Sequence, residues 1–147
     1  MMNKCYVRQG RKFVPVPDYT GYFYSRQHGF TKEKTPESFA IVISQDVNIA
    51  TLAFLEHSYV ERNWESSKEY CELFDGGYMP SLMEMLQATK FKEHLVYRTD
   101  DVEWTSTESS YHYAWALLWY SSEYVYDYHK SHNYYVRIFF KRNVLDI

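Results

Sequence analysis

The chain has 147 residues, with 16 basic and 19 acidic side chains and a net charge of −3. At roughly 150 residues per domain this is one domain's worth of chain, able to bury roughly 68–70% of its unfolded surface without staples. The acidic balance argues against a generic nucleic-acid binder, and the longest apolar run, Ala114–Tyr120, is far short of the roughly 20 residues of a membrane-spanning helix.

Met1–Gly10 is polar and reads as carrying no secretion signal. Residues 1–21, with Pro15 and Pro17, read as an irregular N-terminal arm, and 22–147 as the domain proper. Tyr22–Ser25 fits a short strand, and His28–Glu37, broken by Gly29 and Pro36, a polar loop. Ser38–Ser44 is β-branched and apolar, a buried strand, with Asn48–Leu55 its antiparallel partner across a turn at Gln45–Val47. Trp64, Ser67, Cys71 and Phe74 recur at helical spacing, so a helix is predicted over 64–74, capped by Asn63 and ended at Gly76-Gly77. A second helix is predicted from Leu82 to Lys90 behind the capping box Ser81–Glu84 (SLME). Its inner face would be Leu82, Met85, Leu86 and Thr89, with the Met83/Met85 pair as core filling. Lys92–Asp101 reads as a connector. Beyond Trp104 the period becomes two, predicting three strands around 115–120, 124–129 and 135–140. Strands, two helices, then strands make an α+β fold. The two cysteines, Cys5 and Cys71, are too few for a disulfide framework and read as free thiols, Cys71 in the core.

The functional signal is tyrosine. Of 16 tyrosines, eight lie between Ser109 and Tyr135, together with five serines, three histidines, Asp127 and Asn133. Tyrosine is a good strand former, so one or two would need no further account. Eight are hard to bury, because each hydroxyl then needs a partner. The alternators Trp115, Leu117, Trp119, Val125, Val136 and Ile138 already supply an inner face, which puts the tyrosines outside. An exposed Tyr/Ser face is the chemistry of antibody paratopes, with rigid amphipathic rings and adaptable hydroxyls.

Four pieces carry a resemblance to a known family, over about 64–137. They are Trp64 with Cys71; Gly77–Glu84 (GYMPSLME), similar to G-W-x-L-P-[ST]-x-x-E; Trp104–Glu108 (WTSTE), similar to W-S-S-T-E; and Ala114-Trp115 followed by Tyr135-Val136-Arg137, similar to N-A-W and Y-Y-V-R. In this order they resemble the C-type-lectin-like domains diversified by retroelements, a family with a phage member that determines tropism. Tyr78 stands for the family's usual Trp, Met79 for its Leu, and Ile138 for a common Pro.

The resemblance implies a C-type-lectin-like fold of two helices and a twisted antiparallel sheet. It also implies variation written at adenines of AAY codons, which yields Tyr, Ser, His, Asp and Asn but not Trp, Glu or Lys. The variable, ligand-binding positions would be Ser109, Tyr111, His112, Tyr113, Ala116, Leu118, Tyr120, Ser121, Tyr124, Tyr126, Tyr128, His129, His132, Asn133 and Tyr134. The scaffold would be Trp64, Cys71, Pro80, Trp104, Trp115, Trp119, Val136 and Arg137. The expected partner is a protein or glycan on a cell surface, not nucleic acid or a membrane interior. Self-association, or docking onto a virion or surface assembly, stays open, and the expected setting is a phage tail, or the cytoplasm before assembly. The alternatives are a fixed lectin-like carbohydrate binder, and a structural subunit that buries the tyrosine face in an oligomer.

No cofactor, metal or catalytic residue is expected. His129 and His132 lack a companion Cys or carboxylate cluster, and Asp100, Asp101 and Glu103 read as a solvated acidic loop. Cys71 has no sequence-near histidine to activate it, and the five glycines are scattered, with no phosphate loop.

Overall fold

The computed structural model describes residues 6–10, 12–97, 101–119 and 124–145. Among the described residues, two α-helices and antiparallel sheets make an α+β fold. The chain divides into two compact units, Met1–Leu52 with Lys141–Ile147, and Ala53–Phe140.

In the first unit, β1 (Tyr6–Gln9) and β2 (Lys12–Pro15) form an antiparallel hairpin with Val7 opposite Val14. The sequence reading made this stretch irregular. Gly10, at φ 61, supplies the left-handed residue that a tight hairpin requires. β3 (Phe23–Ser25) pairs antiparallel with β4 (Gly29–Thr31), which lies inside the expected polar loop. The Phe30 ring accounts for that strand, stacking on Tyr19 at 4.5 Å and packing against Tyr24 at 5.1 Å. β3 also pairs with β5 (Ala40–Asp46), and β5 leads into β6 (Ile49–Phe54) through a turn at Val47-Asn48. The expected central hairpin is thus present, shifted by about two residues. β10 (Phe139–Asn143) completes the sheet order β10-β6-β5-β3-β4. Ala40, Ile41, Val42 and Ile43 are all buried, which explains their unbroken apolar run.

In the second unit, α1 (Trp64–Glu72) starts at Asn63, whose Oδ1 accepts from the Ser66 N–H at 2.9 Å. It buries Trp64, Ser67 and Cys71, the face read from the spacing. A Cβ on Gly77 would fall 2.3 Å from the Cys71 carbonyl oxygen, so the chain can leave the helix here only through glycine. α2 (Leu82–Ala88) has both bonds of its capping box, Ser81 Oγ accepting from the Glu84 N–H at 3.1 Å and Glu84 Oε1 from the Ser81 N–H at 3.0 Å. Thr89–His94 then tightens into a 3₁₀ turn. Met85 is fully buried, but Met83 is 72% exposed, which corrects the core role expected for the pair. Two residues along a helix is about 200° around it, so one of the two must face water.

β7 (Val102–Glu108), β8 (Tyr113–Leu118) and β9 (Tyr124–His129) form an antiparallel meander with β9 at one edge. β7 was legible only as a motif. The strand expected at 135–140 is delayed. Tyr134 and Tyr135 make single bridges to Arg62 and Glu103, and β10 begins at Phe139. Trp64, Cys71, Met79, Trp104, Ala114, Ala116, Val136 and Ile138 pack as one core. Among the described residues no helix is long and apolar enough to cross a membrane.

A candidate recognition surface on the β8–β9 hairpin

The β8–β9 register decides which residues share a face. Ala114 lies opposite Tyr128, Ala116 opposite Tyr126, and Leu118 opposite Tyr124, and directly opposed residues project to the same side. That side is the core side, because Ala114 and Ala116 pack against Trp104 and Trp64. Two expectations are overturned. Ala116 and Leu118 were expected to face ligand, yet they are 0% and 5% exposed. Trp115 was expected inside, yet it lies on the opposite parity and is only half-buried. A small residue, not a large one, is what fits beneath Trp104.

Tyr126 and Tyr128 share the core side but stand on the edge strand, where the core runs out. Tyr128 packs on the core rim, and Tyr126 is 51% exposed. They open a first ring cluster. Tyr126 meets Tyr128 at 5.4 Å, Tyr128 meets Tyr134 at 4.8 Å, and His132 lies parallel to Tyr134 at 5.9 Å. Tyr134 in turn stands edge-on to the buried Trp104 at 5.2 Å. Burial, then Tyr128 and Glu61, push the Tyr134 phenol above its ordinary value, so it stays a neutral hydroxyl able to donate and accept.

A second cluster lies at the other end of the register, where Tyr113 opposes His129. Tyr111, 83% exposed, stands edge-on to His112 at 4.8 Å; His112 and His129 are parallel at 5.9 Å; Tyr113 meets His129 at 5.3 Å. The Ser109 hydroxyl donates to Asp127 at 3.0 Å, and Lys130 donates to Glu108 at 2.7 Å and to the Tyr111 carbonyl at 2.8 Å while its Nζ lies 4.2 Å above the Trp64 ring. These contacts tie the 109–113 loop to the end of β9. The expected single face is therefore two ring clusters on opposite parities of one hairpin. Ser109, His112, His132 and Asn133 are exposed, and His129 is half-buried. Tyr120 and Ser121 lie outside the described residues, as does the side chain of Tyr124.

The floor beneath the clusters is closed by hydrogen bonds. Trp64 Nε1 donates to the Thr105 carbonyl at 2.9 Å, Trp104 Nε1 to the Arg62 carbonyl at 3.0 Å, and Trp119 Nε1 to Glu103 Oε2 at 2.6 Å. Pro80 is buried, and its carbonyl accepts from the Ser106 N–H at 2.7 Å. Val136 and Arg137 have no exposure. Arg137 forks onto Glu103 at 2.9 and 2.8 Å and donates to the carbonyls of Phe54, Leu55 and Val96. Glu103 is thus a buried counter-ion, not part of a solvated loop. Asp101, also buried, lies 3.0 Å from His57 Nε2. Both correct the acidic-loop reading, and Asp100 lies outside the described residues. Nothing in the local sequence separated a buried Glu from a solvated one, because its partner is 34 residues away.

The remaining chemistry is spoken for. His129 Nδ1 meets the Ser131 hydroxyl at 2.7 Å, whereas His132 stacks on Tyr134, so the two rings serve different clusters. His57 has Nδ1 at 2.6 Å from the Ser58 carbonyl and Nε2 on Asp101, so neither ring nitrogen points at open space. Burial, followed by Glu72 and opposed by Arg62, pushes the Cys71 thiol up to about 12. A thiol that keeps its proton at neutral pH is packing, not a nucleophile. In comparisons with known proteins, no family model and no curated sequence matches this chain.

Proposed function

We propose that this chain is a non-catalytic recognition protein with a C-type-lectin-like fold, whose Tyr/Ser/His residues on and around the β8–β9 hairpin are diversified to bind varied targets. The observation that carries the reading is the separation of roles along one segment. Tyr111, His112, Tyr113, Tyr126, His132 and Asn133 are exposed, while the tryptophans Trp64, Trp104 and Trp119 are buried. The exposed letters are those that adenine-directed mutagenesis of AAY codons yields, and Trp is one it cannot yield. A hairpin held by an intact ladder and a tryptophan floor tolerates change at its rim, which is what a diversified binder needs. The targets would be proteins or glycans displayed on a cell surface, and a phage tail is the setting the resemblance favours. Binding would rest on shape and hydroxyl complementarity, with individual tyrosines worth about 2 kcal/mol or more on truncation at a hot spot.

Deep sequencing of this coding region from a growing population of its source tests the proposal. Substitutions should cluster at the exposed positions, with Trp64, Trp104 and Trp119 unchanged and a near-copy of the segment nearby. A uniform segment with no such copy overturns diversification. The fixed carbohydrate binder then becomes the better reading, favoured by the parallel His132 and Tyr134 rings, and a glycan array with this one sequence is its test.

A further inference from the structure

We propose a second, separate ligand site: a pocket of the second unit, opened where the chain after β6 bulges away from 136–138, binds an alkylated ammonium ion of the choline type. The Phe54 N–H donates to the Ile138 carbonyl at 2.9 Å, and the Ser58 N–H to the Val136 carbonyl at 2.8 Å. The advance from 54 to 58 is thus matched only by that from 138 to 136, so 55–57 must arch outward. The arch is pinned. The Val96 N–H donates to the Leu55 carbonyl at 2.7 Å and the Val136 N–H to Ser58 Oγ at 3.1 Å, while Arg137 holds the Phe54 and Leu55 carbonyls. The pocket that the arch and 136–138 enclose is about 160 Å³. An apolar cavity of roughly 150 Å³ accepts a benzene-sized guest.

The lining selects a cation with an apolar body. Val136 and Ile138 are buried and give it an apolar wall. Three aromatic rings line it as well: Phe54 from β6, Tyr70 from α1, and Tyr59 past the arch, 88% exposed. Aromatic faces attract organic cations, and quaternary ammonium is the ion that clusters of rings recognise. Tyr70 already shows this affinity, with Arg62 Cζ 4.2 Å from its centroid. Arg62 is tied to the Val60 carbonyl at 3.2 Å, and among the described residues no Lys or Arg lines the pocket. Glu56 does line it. Its exposed carboxylate has no ion-pair partner among the described residues, so it supplies the counter-charge. Both nitrogens of His57 are engaged, by the Ser58 carbonyl and Asp101, and the Arg137 charge is taken up by Glu103. A bare ammonium, compact and strongly hydrated, gains little from such a wall. Methyl groups on the nitrogen spread the charge over a surface that the rings can cover.

The test is a titration of isotope-labelled full-length protein with choline chloride, followed by backbone amide NMR at constant ionic strength. The control is 3,3-dimethylbutan-1-ol, the neutral carbon isostere of choline. Saturable shifts are expected at the amides of 54–59, 70, 136 and 138, with half-saturation below roughly 10 mM choline. The isostere should bind about threefold more weakly or worse, since it keeps the shape and loses the charge. Glu56→Gln and Tyr59→Leu, both at exposed positions, should each weaken choline about threefold. Glu56→Gln should leave the isostere unaffected. Equal or tighter binding of the isostere makes the pocket a plain apolar cleft and overturns the cation assignment. Shifts that grow linearly without saturating, that fall elsewhere, or that neither substitution weakens overturn it too. The two wild-type titrations decide the matter even if a variant fails to fold. The outcome is independent of diversification, since no residue of the tyrosine clusters is invoked.

Discussion

Arg137 buries its guanidinium away from solvent, where the carboxylate of Glu103 and the carbonyls of Phe54, Leu55 and Val96 accept its N–H groups. Burying such a pair is costly, and the cost is repaid only while both partners are present. Arg137→Met should therefore destabilise by about 3–5 kcal/mol in urea denaturation, because Glu103 stays behind as an unpaired buried carboxylate. Adding Glu103→Gln should recover part of that loss, a pattern that lost packing alone would not give. Cys71 makes a prediction of opposite character. Its folded thiol keeps its proton up to about 12, whereas an unfolded thiol ionises near 9. Between these values the folded state binds the extra proton, so the unfolding free energy falls as pH rises, by up to roughly 1.4 kcal/mol per pH unit. Tyrosines titrate there too, so the check is the difference in slope between wild type and Cys71→Ala above pH 9. Equal slopes would show that the thiol is not the buried acid.

At the scale of elements, the turn between β5 and β6 carries the clearest strain. Val47 sits at φ 50, a left-handed conformation that costs a β-branched residue of order 1–3 kcal/mol. Gln45 holds it there, its amide donating to the Pro17 and Val47 carbonyls at 2.7 and 2.9 Å. Val47→Gly should stabilise by about 1 kcal/mol, the relief of strain exceeding the added freedom of the unfolded chain; thermal unfolding would show it. Ser81→Ala should cost about 1 kcal/mol by stripping the acceptor from the Glu84 N–H. The two helices were legible because caps and periodicity are local. Asn63 and Ser81 each announce a helix start within four residues. The β1–β2 hairpin, β4 and β7 were not, because β1, β2 and β4 are only three or four residues long and β7 shows its strand character only against its partner β8. Phe30 in β4 is held by Tyr19 and Tyr24, and β7 by Ala116 and Leu118 of β8. A three- or four-residue strand has too few positions to display an alternation that its partners alone enforce.

Over the whole molecule, composition located the candidate surface but not its sidedness. The Tyr/Ser/His excess pointed to 109–135, and several of those residues are exposed, yet strict alternation put Ala116 and Leu118 on the wrong side. Parity was the weak step. Every residue from Ala114 to Trp119 is apolar, so period two cannot tell one face from the other, and the β8–β9 register and Trp104 decide it. This makes tolerance to substitution a sharp reporter. Tyr113→Ser and Tyr126→Ser should leave stability within about 0.5 kcal/mol, because their rings lie substantially in water and other groups hold the ladder. Ala116→Tyr should cost about 3 kcal/mol or more, since a ring cannot enter the close packing beneath Trp104. Leu118→Ser should cost about 2–5 kcal/mol through the lost side chain and the hydroxyl left in its place. Urea denaturation of the four single variants checks all of this. It also constrains the recognition proposal: where codon variation reaches 116 and 118, only small or aliphatic residues should survive there, while Tyr113 and Tyr126 range freely. Free variation at Ala116 with intact folding would mean that β8 does not lie against Trp104, and the assignment of display and floor would fall with it.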